Sequence, residues 1–271
     1  MEQSSATAPE KGSRKKPAKP KAENTQAQAG SANSPKGNQQ RSNKLRGHPR
    51  DSPRDRLSKT LSWILRHGAL SEGLVVRSDG FVKVVDLLAN PRLESLDLDA
   101  LQEIVKTDSK QRYALILEGG AEPESATWWI KANQGHTIKA PSVVLDLQPI
   151  LSVSDIPTGV AIHGTTRKAW ESISYLALAT QGLSKMARNH IHLAQGIVGE
   201  NVMSGMRKSS QILIFIDVQR AIDDGVNFFL SSNGVILTEG NEQGILGTKY
   251  FARVETSNRV SVPGWEGVQN V

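Results

Sequence analysis

The sequence predicts an α+β fold preceded by an unstructured basic arm, and three observations carry that expectation. Apolar residues recur at helical spacing between 57 and 105, then give way to the alternating, β-rich run 112–117. From about residue 160 onward, short β-rich runs separated by turn signals dominate, with few helical patterns. Residues 1–56 hold 13 Lys+Arg against 5 Asp+Glu, a net of 13 − 5 = +8, and almost no large apolar side chain.

The arm, 1–56, is rich in Lys, Pro, Ser, Gln, Asn, Ala and Gly. Such a segment cannot bury enough apolar surface to offset the entropy of ordering it, so it is expected to be disordered. It has no apolar stretch of the secretory-signal kind. It could add phosphate affinity to an RNA binder, or serve only as a solubilising tail.

Within 57–67, Leu57, Leu61, Ile64 and Leu65 fall on one helix face, and Gly68 supplies a stop. Arg66 and His67 then sit in the last helical turn. Asp79-Gly80 marks a turn before a short strand at Phe81-Val82. Val84, Val85, Leu87 and Leu88 suggest a short helix stopped before Pro91, and Leu98, Leu101, Ile104 and Val105 a second amphipathic helix. The strand 112–117 follows. Short helices followed by a β-hairpin look like a winged-helix module, a fold common among nucleic-acid binders.

Residues 118–142, with Trp128-Trp129 and Asn133-Gln134-Gly135-His136, read as hairpin and linker. Pro141, Pro149 and Pro157 bracket a boundary near 150, which divides the body into 57–150 and 151–271. In the second part Val160–His163 reads as a strand. Thr165 or Thr166 can cap a helix over 167–178 whose inner face holds Trp170, Ile173 and Ala177. Residues 188–194, 212–217, 228–230, 235–238 and 250–254 read as strands, with Asn233-Gly234 as a hairpin turn.

The body after the arm carries 33 − 13 = 20 basic and 27 − 5 = 22 acidic residues, a net of −2, so the basicity belongs to the arm. No window of about 18 apolar residues occurs, and no membrane span is expected. The absence of cysteine excludes disulfides, thiolate metal sites and cysteine nucleophiles. An intracellular protein is expected, in cytoplasm or nucleus.

Several side chains could carry chemistry. Arg66-His67 can complement the carbonyls of a helix end, or clamp a phosphate beside a proton-transfer group. Lys110 and Arg112, two apart at the entry to a strand, share a face that is either solvated or turned to phosphate. Arg188, His190 and His192 would share one strand face, opposite Ile191 and Leu193. That face suits an active cleft. A zinc site with His163 is a rival, but no carboxylate stands nearby in sequence and Arg188 would repel a cation. His163-Gly164-Thr165 at a strand end would let a ligand approach the backbone, although a buried hydrogen-bonded histidine explains it equally. No Gly-x-Gly-x-x-Gly, Walker-type Gly-Lys-Ser/Thr or His-Glu-x-x-His motif occurs.

Four segments in order, LSKTLSWILRHGA (57–69), DGFVKVVDLL (79–88), HGTT (163–166) with ARNHIHLA (187–194), and SSNGVILT (231–238), resemble the RNA 2′-phosphotransferases of the Tpt1/KptA family. The resemblance runs from Leu57 to about Val254. It implies a winged-helix-like lobe followed by a β-rich lobe of ADP-ribosyltransferase fold. It implies NAD as co-substrate, 2′-phosphorylated RNA (ligated tRNA) as partner, no metal, and a monomer. The family's catalytic side chains fall on Arg66, His67, Arg112 and Arg188, and a phosphate-binding lysine on Lys110. Its NAD-site positions fall on His163, Gly164, Thr165, His192 (His190 less well) and Val235. Many members have Arg-His-x-Pro where this chain has Arg66-His67-Gly68-Ala69. The implied reaction has two steps. The RNA 2′-phosphate displaces nicotinamide from NAD, and the ribose 2″-hydroxyl then attacks the phosphate and frees the RNA 2′-oxygen. Two alternatives stay open: an ADP-ribosyltransferase that caps terminal phosphates, and a non-catalytic RNA-binding module.

Overall fold

The computed structural model describes residues 45–119, 126–138, 147–174, 181–197 and 205–267. The mix of helices and antiparallel sheets is α+β.

Helix α1 (Pro53–Trp63) starts four residues earlier than its apolar stripe, because Ser52 caps it by accepting from Asp55 N–H and Pro53 stands at its first turn. Residues 45–56, which composition assigned to the arm, therefore meet the folded body. Arg46 N–H donates to Thr60 Oγ1 at 2.7 Å, and its guanidinium lies 3.9 Å over the Trp63 ring. The helix continues into a π turn, Ile64–Gly68. Gly68 is no left-handed stop. A Cβ there would lie 2.7 Å from the Trp63 ring, so the glycine makes room for Trp63.

Strand β1 (Val82–Lys83), helix α2 (Val84–Leu88), helix α3 (Leu98–Thr107), and strands β2 (Tyr113–Glu118) and β3 (Thr127–Ala132) follow. The strands form an antiparallel sheet in the order β1-β3-β2. Asp97 caps α3 by accepting from Ala100 N–H, and Leu101 and Ile104 are buried beneath it. The apolar face of the sheet and the three helices enclose one core, from Leu61 to Ile138.

The remaining elements are strand β4 (Gln148–Ile150), strand β5 (Ile162–Thr165), helix α4 (Arg167–Ser174), strands β6 (Gly182–Ser184), β7 (Ile191–Leu193) and β8 (Ile212–Ile216), helix α5 (Val218–Asp223), and strands β9 (Phe228–Leu230), β10 (Ile236–Thr238), β11 (Ile245–Gly247) and β12 (Phe251–Thr256). They build sheets in the orders β4-β9-β10-β7, β12-β8-β5 and β11-β6. Strand β8 is buried along its whole length. Ile212, Ile214 and Ile216 enter a second core from Ile150 to Val254, while Leu213 and Phe215 pack on Ile162, Ala194 and Met206. A paired bridge between Ile162 and Ala194, 2.8 Å in both directions, joins the two larger sheets.

Three differences from the sequence reading matter for the site. Arg188 is not on a strand: residues 186–190 form turns, with Met186 at φ +55° and Arg188 N–H donating to Lys185 O. Lys110 and Arg112 precede their strand, and Gln111 between them has φ +45°. The Ala177 expected in the inner face of a helix lies outside the described residues, and α4 as described ends at Ser174.

Candidate active site

The π turn presents Arg66 and His67 together. Arg66 O accepts from Thr137 N–H at 3.0 Å, and His67 Nδ1 lies 3.0 Å from Thr137 Oγ1. The segment 133–138 thus takes up the backbone that the helix end leaves unpaired. Gly135, at φ +88°, brings its Cα against the Arg66 guanidinium, where a Cβ would lie 3.4 Å from Nε. Arg66 Nε and Nη2 are buried and make no hydrogen bond. A buried cationic donor left open is costly, so this geometry calls for an anionic acceptor.

Arg112 faces the same cleft of about 450 Å³, which Ser58, Ser62, Trp63, Arg66 and His67 also line. Asp108, at the C-terminal end of α3, holds it. Its carboxylate accepts from Arg112 N–H at 2.6 Å, from the Arg112 guanidinium, and from Lys110 N–H at 3.3 Å. Asp108 is 7% exposed against 32% for Arg112, so the carboxylate is fixed and the guanidinium reaches outward. Sequence reading missed Asp108. Its only local signal is the i, i+4 spacing to Arg112.

From the other core, β7 buries Ile191 and Leu193 and turns His192 away from them, as its alternation requires. Both ring nitrogens of His192 are buried, and the His190 backbone is the polar group that raises its pKa against that burial. Arg188 approaches from its turn, and next to it Asn189 ties the two cores together. Asn189 N–H donates to His136 O at 3.1 Å and Asn189 Nδ2 to Ile138 O at 2.9 Å. His136 is the second residue that sequence reading missed. It fell within a supposed linker, yet it is 2% exposed with both ring nitrogens unpaired.

The electrostatics show how closely these groups gather. Burial lowers the proton affinity of Arg66, and Arg112 and Arg188 lower it further. Burial, then Arg66 and Arg188, hold His67 below its ordinary pKa. Burial pushes His136 down to about 4, with Arg66 and His67 adding to the shift. His192 falls to about 3, from burial and then Arg188. Groups whose pKa values are displaced by burial and by specific charged neighbours, gathered in a cleft, make that cleft a candidate functional site. Among the described residues there is no group of three or more His, Cys, Asp or Glu that could hold a metal ion. None of their helices is long and apolar enough to cross a membrane.

His163 Nδ1 lies 3.1 Å from His192 O. A carbonyl only accepts, so Nδ1 carries the proton and Nε2 is the acceptor. Burial lowers the pKa of this ring as well. A neutral imidazole offering an acceptor would suit a hydroxyl of a ribose such as that of NAD. Gly164 has a different reason from the one expected. A Cβ there would meet Ser210 Oγ at 2.6 Å and Met206 closer still, so the protein itself fills that space. Thr165 ends β5, and Thr166 Oγ1 accepts from Ala169 N–H to begin α4. Val235, fully buried, follows the turn at Asn233-Gly234. His190 precedes β7, and its ring lies 6.3 Å from that of Phe229.

Comparison with known proteins shows the family to which the sequence belongs. The sequence profile described as RNA 2'-phosphotransferase, Tpt1 / KptA family, matches residues 52–240. The chain is 43% identical over 212 residues to tRNA 2'-phosphotransferase 1 of Danio rerio, covering 78% of this chain and 89% of that one. It is 43% identical over 205 residues to the protein of that name from Mus musculus (75% and 78% covered), and 44% over 205 residues to that from Homo sapiens (75% and 76% covered). The chain belongs to the RNA 2'-phosphotransferase, Tpt1 / KptA family.

Proposed function

We propose that this chain is an NAD-dependent tRNA 2′-phosphotransferase, which moves the splice-junction 2′-phosphate of ligated tRNA to NAD and leaves a 2′-hydroxyl. The single observation that best supports the reading is the gathering of Arg66, His67 and Arg112 from one core with Arg188 and His192 from the other. The relatives named above carry tRNA 2'-phosphotransferase names.

In this reading 57–150 is a winged-helix-like lobe that takes the RNA 2′-phosphate, and 151–271 is an ADP-ribosyltransferase-like lobe that takes NAD. The basic segment that precedes residue 45 adds long-range attraction for RNA, in cytoplasm or nucleus. One chain suffices, since every candidate residue lies in it. NAD supplies an anomeric carbon with nicotinamide as leaving group, and a ribose 2″-hydroxyl.

Arg66, Arg112 and Arg188 orient the 2′-phosphate and oppose the charge that grows on its oxygens. Lys110 adds a further cation. The phosphate is already anionic, so its own attack needs positioning and no base. His67 has a depressed pKa and is neutral near pH 7, which suits it to take a proton from an attacking hydroxyl. His163 accepts from a ribose hydroxyl, and Gly164, Thr165, His192 and Val235 are the other positions this reading assigns to the NAD side.

The test is to incubate the protein with NAD and a short RNA bearing one internal 2′-phosphate. The expected outcome is 2′-hydroxyl RNA, free nicotinamide and ADP-ribose 1″,2″-cyclic phosphate. ADP-ribose retained on RNA would replace this reading with a capping ADP-ribosyltransferase. Binding without any product would indicate a non-catalytic RNA-binding module.

A further inference from the structure

Asn233 sits in a turn whose backbone does not require asparagine. Gly234 N–H donates to Ser231 O at 2.9 Å, Ser231 N–H donates to Val235 O at 3.0 Å, and the left-handed residue is Gly234 at φ +72°. Asn233 has no positive φ. Many residues suit its place in such a turn. Its side chain is nevertheless buried, at 1% exposure.

A buried amide needs partners at both ends, and both are present. Ser231 Oγ lies 2.8 Å from Asn233 Oδ1, and Asn233 Nδ2 donates to Lys110 O at 3.1 Å, across 123 residues of sequence. Lys110 O can only accept, which fixes the nitrogen end of the amide.

The backbone it grips leads to the phosphate-facing arginine. Asn133 Nδ2 donates to Gln111 O at 2.7 Å and Asn133 N–H to Arg112 O at 2.8 Å. Three consecutive carbonyls, of Lys110, Gln111 and Arg112, are therefore held by two asparagines, one beside each core. The Gln111 conformation between them, φ +45°, is unfavourable for a side-chain-bearing residue and persists only where its surroundings over-determine it.

We propose that Asn233 is a positioning residue for Arg112. The turn that leads into Val235, on the co-substrate side of the cleft, anchors the start of the segment that aims the Arg112 guanidinium. The inference rests on the functional reading above and deepens it, because it makes the second core responsible for part of the phosphate grip. Without the Nδ2 donor, Lys110 O has no partner from the turn and the 110–112 segment loses one of its ties. A misplacement of roughly 1 Å can cost about a hundredfold in rate.

The experiment compares the full chain with Asn233→Ala, Asn233→Asp, Arg112→Ala and the Asn233→Ala/Arg112→Ala pair. Asn233→Asp keeps the shape and the acceptor for Ser231, but turns an oxygen toward Lys110 O. Both single Asn233 variants are expected to lower kcat/KM for 2′-phosphorylated RNA by roughly tenfold to a hundredfold, with Asp no better than Ala. ADP-ribose affinity, read by titration, should stay within about twofold. The cycle is read on the preference for 2′-phosphorylated over 2′-hydroxyl oligonucleotide, which needs no turnover. In the Arg112→Ala background, loss of Asn233 should change that preference by less than about threefold, since coupled residues are not additive. Multiplicative losses, a parallel fall in ADP-ribose affinity, or full activity of Asn233→Asp would each overturn the assignment. An unaltered chain without turnover would instead overturn the functional reading, and this inference with it.

Discussion

Acid should weaken this fold through its buried histidines, and His136 lets the effect be measured. In the folded chain burial holds its pKa near 4, against an ordinary 6.5. The unfolded chain therefore binds a proton as pH falls below about 6.5, while the folded chain does not until about 4. Stability is fully present above pH 6.5 and is lost as pH drops through that window. Linkage gives a slope of about 1 kcal/mol per pH unit for one such group, and a loss of about 2–3 kcal/mol between roughly pH 7.5 and 4.5. His192, held near 3, adds a loss of similar size, so the pair removes about 5 kcal/mol. That approaches the lower end of typical domain stabilities, about 5–15 kcal/mol. The assay is urea unfolding of the parent and of His136→Asn, a neutral replacement, at several pH values in that range. The stability difference, parent minus variant, should fall by about 2–3 kcal/mol on acidification. Carboxylates held below their usual range, Asp51 by Lys59 and Asp224 by Lys249, titrate in both chains and cancel. A difference that stays constant with pH would show that the His136 ring takes up protons freely, and would refute the account of its burial.

Arg112→Lys should damage turnover nearly as much as Arg112→Ala, because lysine keeps the charge but loses the planar fork; steady-state kinetics on a short 2′-phosphorylated RNA would check this. Asp108→Ala removes the acceptor for both the backbone and the side chain of Arg112. It should lower kcat/KM for RNA at least tenfold and cost about 1–3 kcal/mol by chemical denaturation, and an unchanged kcat/KM would mean that Arg112 aims itself. Gly135→Ala forces a side chain into φ +88° against the Arg66 guanidinium. It should cost about 1–2 kcal/mol in thermal unfolding and weaken binding of 2′-phosphorylated RNA more than binding of ADP-ribose.

Local pattern alone determined much of this molecule. The stripe Leu98, Leu101, Ile104 requires a helix with one buried face, and α3 buries Leu101 and Ile104 as that spacing demands. The apolar run 212–217 reads as a strand, and β8 forms there with every residue buried. Asn233-Gly234 reads as a turn because glycine adopts left-handed φ without strain, and Gly234 does. These features depend on neighbours within a few residues, which is why composition and periodicity reveal them. Tertiary structure decided the rest. His67 meets Thr137 seventy residues away, Asn189 meets Ile138, and Asn233 meets Lys110. No local spacing encodes such pairs. Arg188 looked like part of a strand because Ile191 and Leu193 alternate with histidines, but the backbone turns at 186–190 and delivers the arginine from another direction. His136 looked like linker because its neighbours are polar and glycine-rich. Only when the 133–138 segment closes over Arg66 and His67 does that ring become buried and lose its charge, since desolvation acts on the folded arrangement and not on the order of residues.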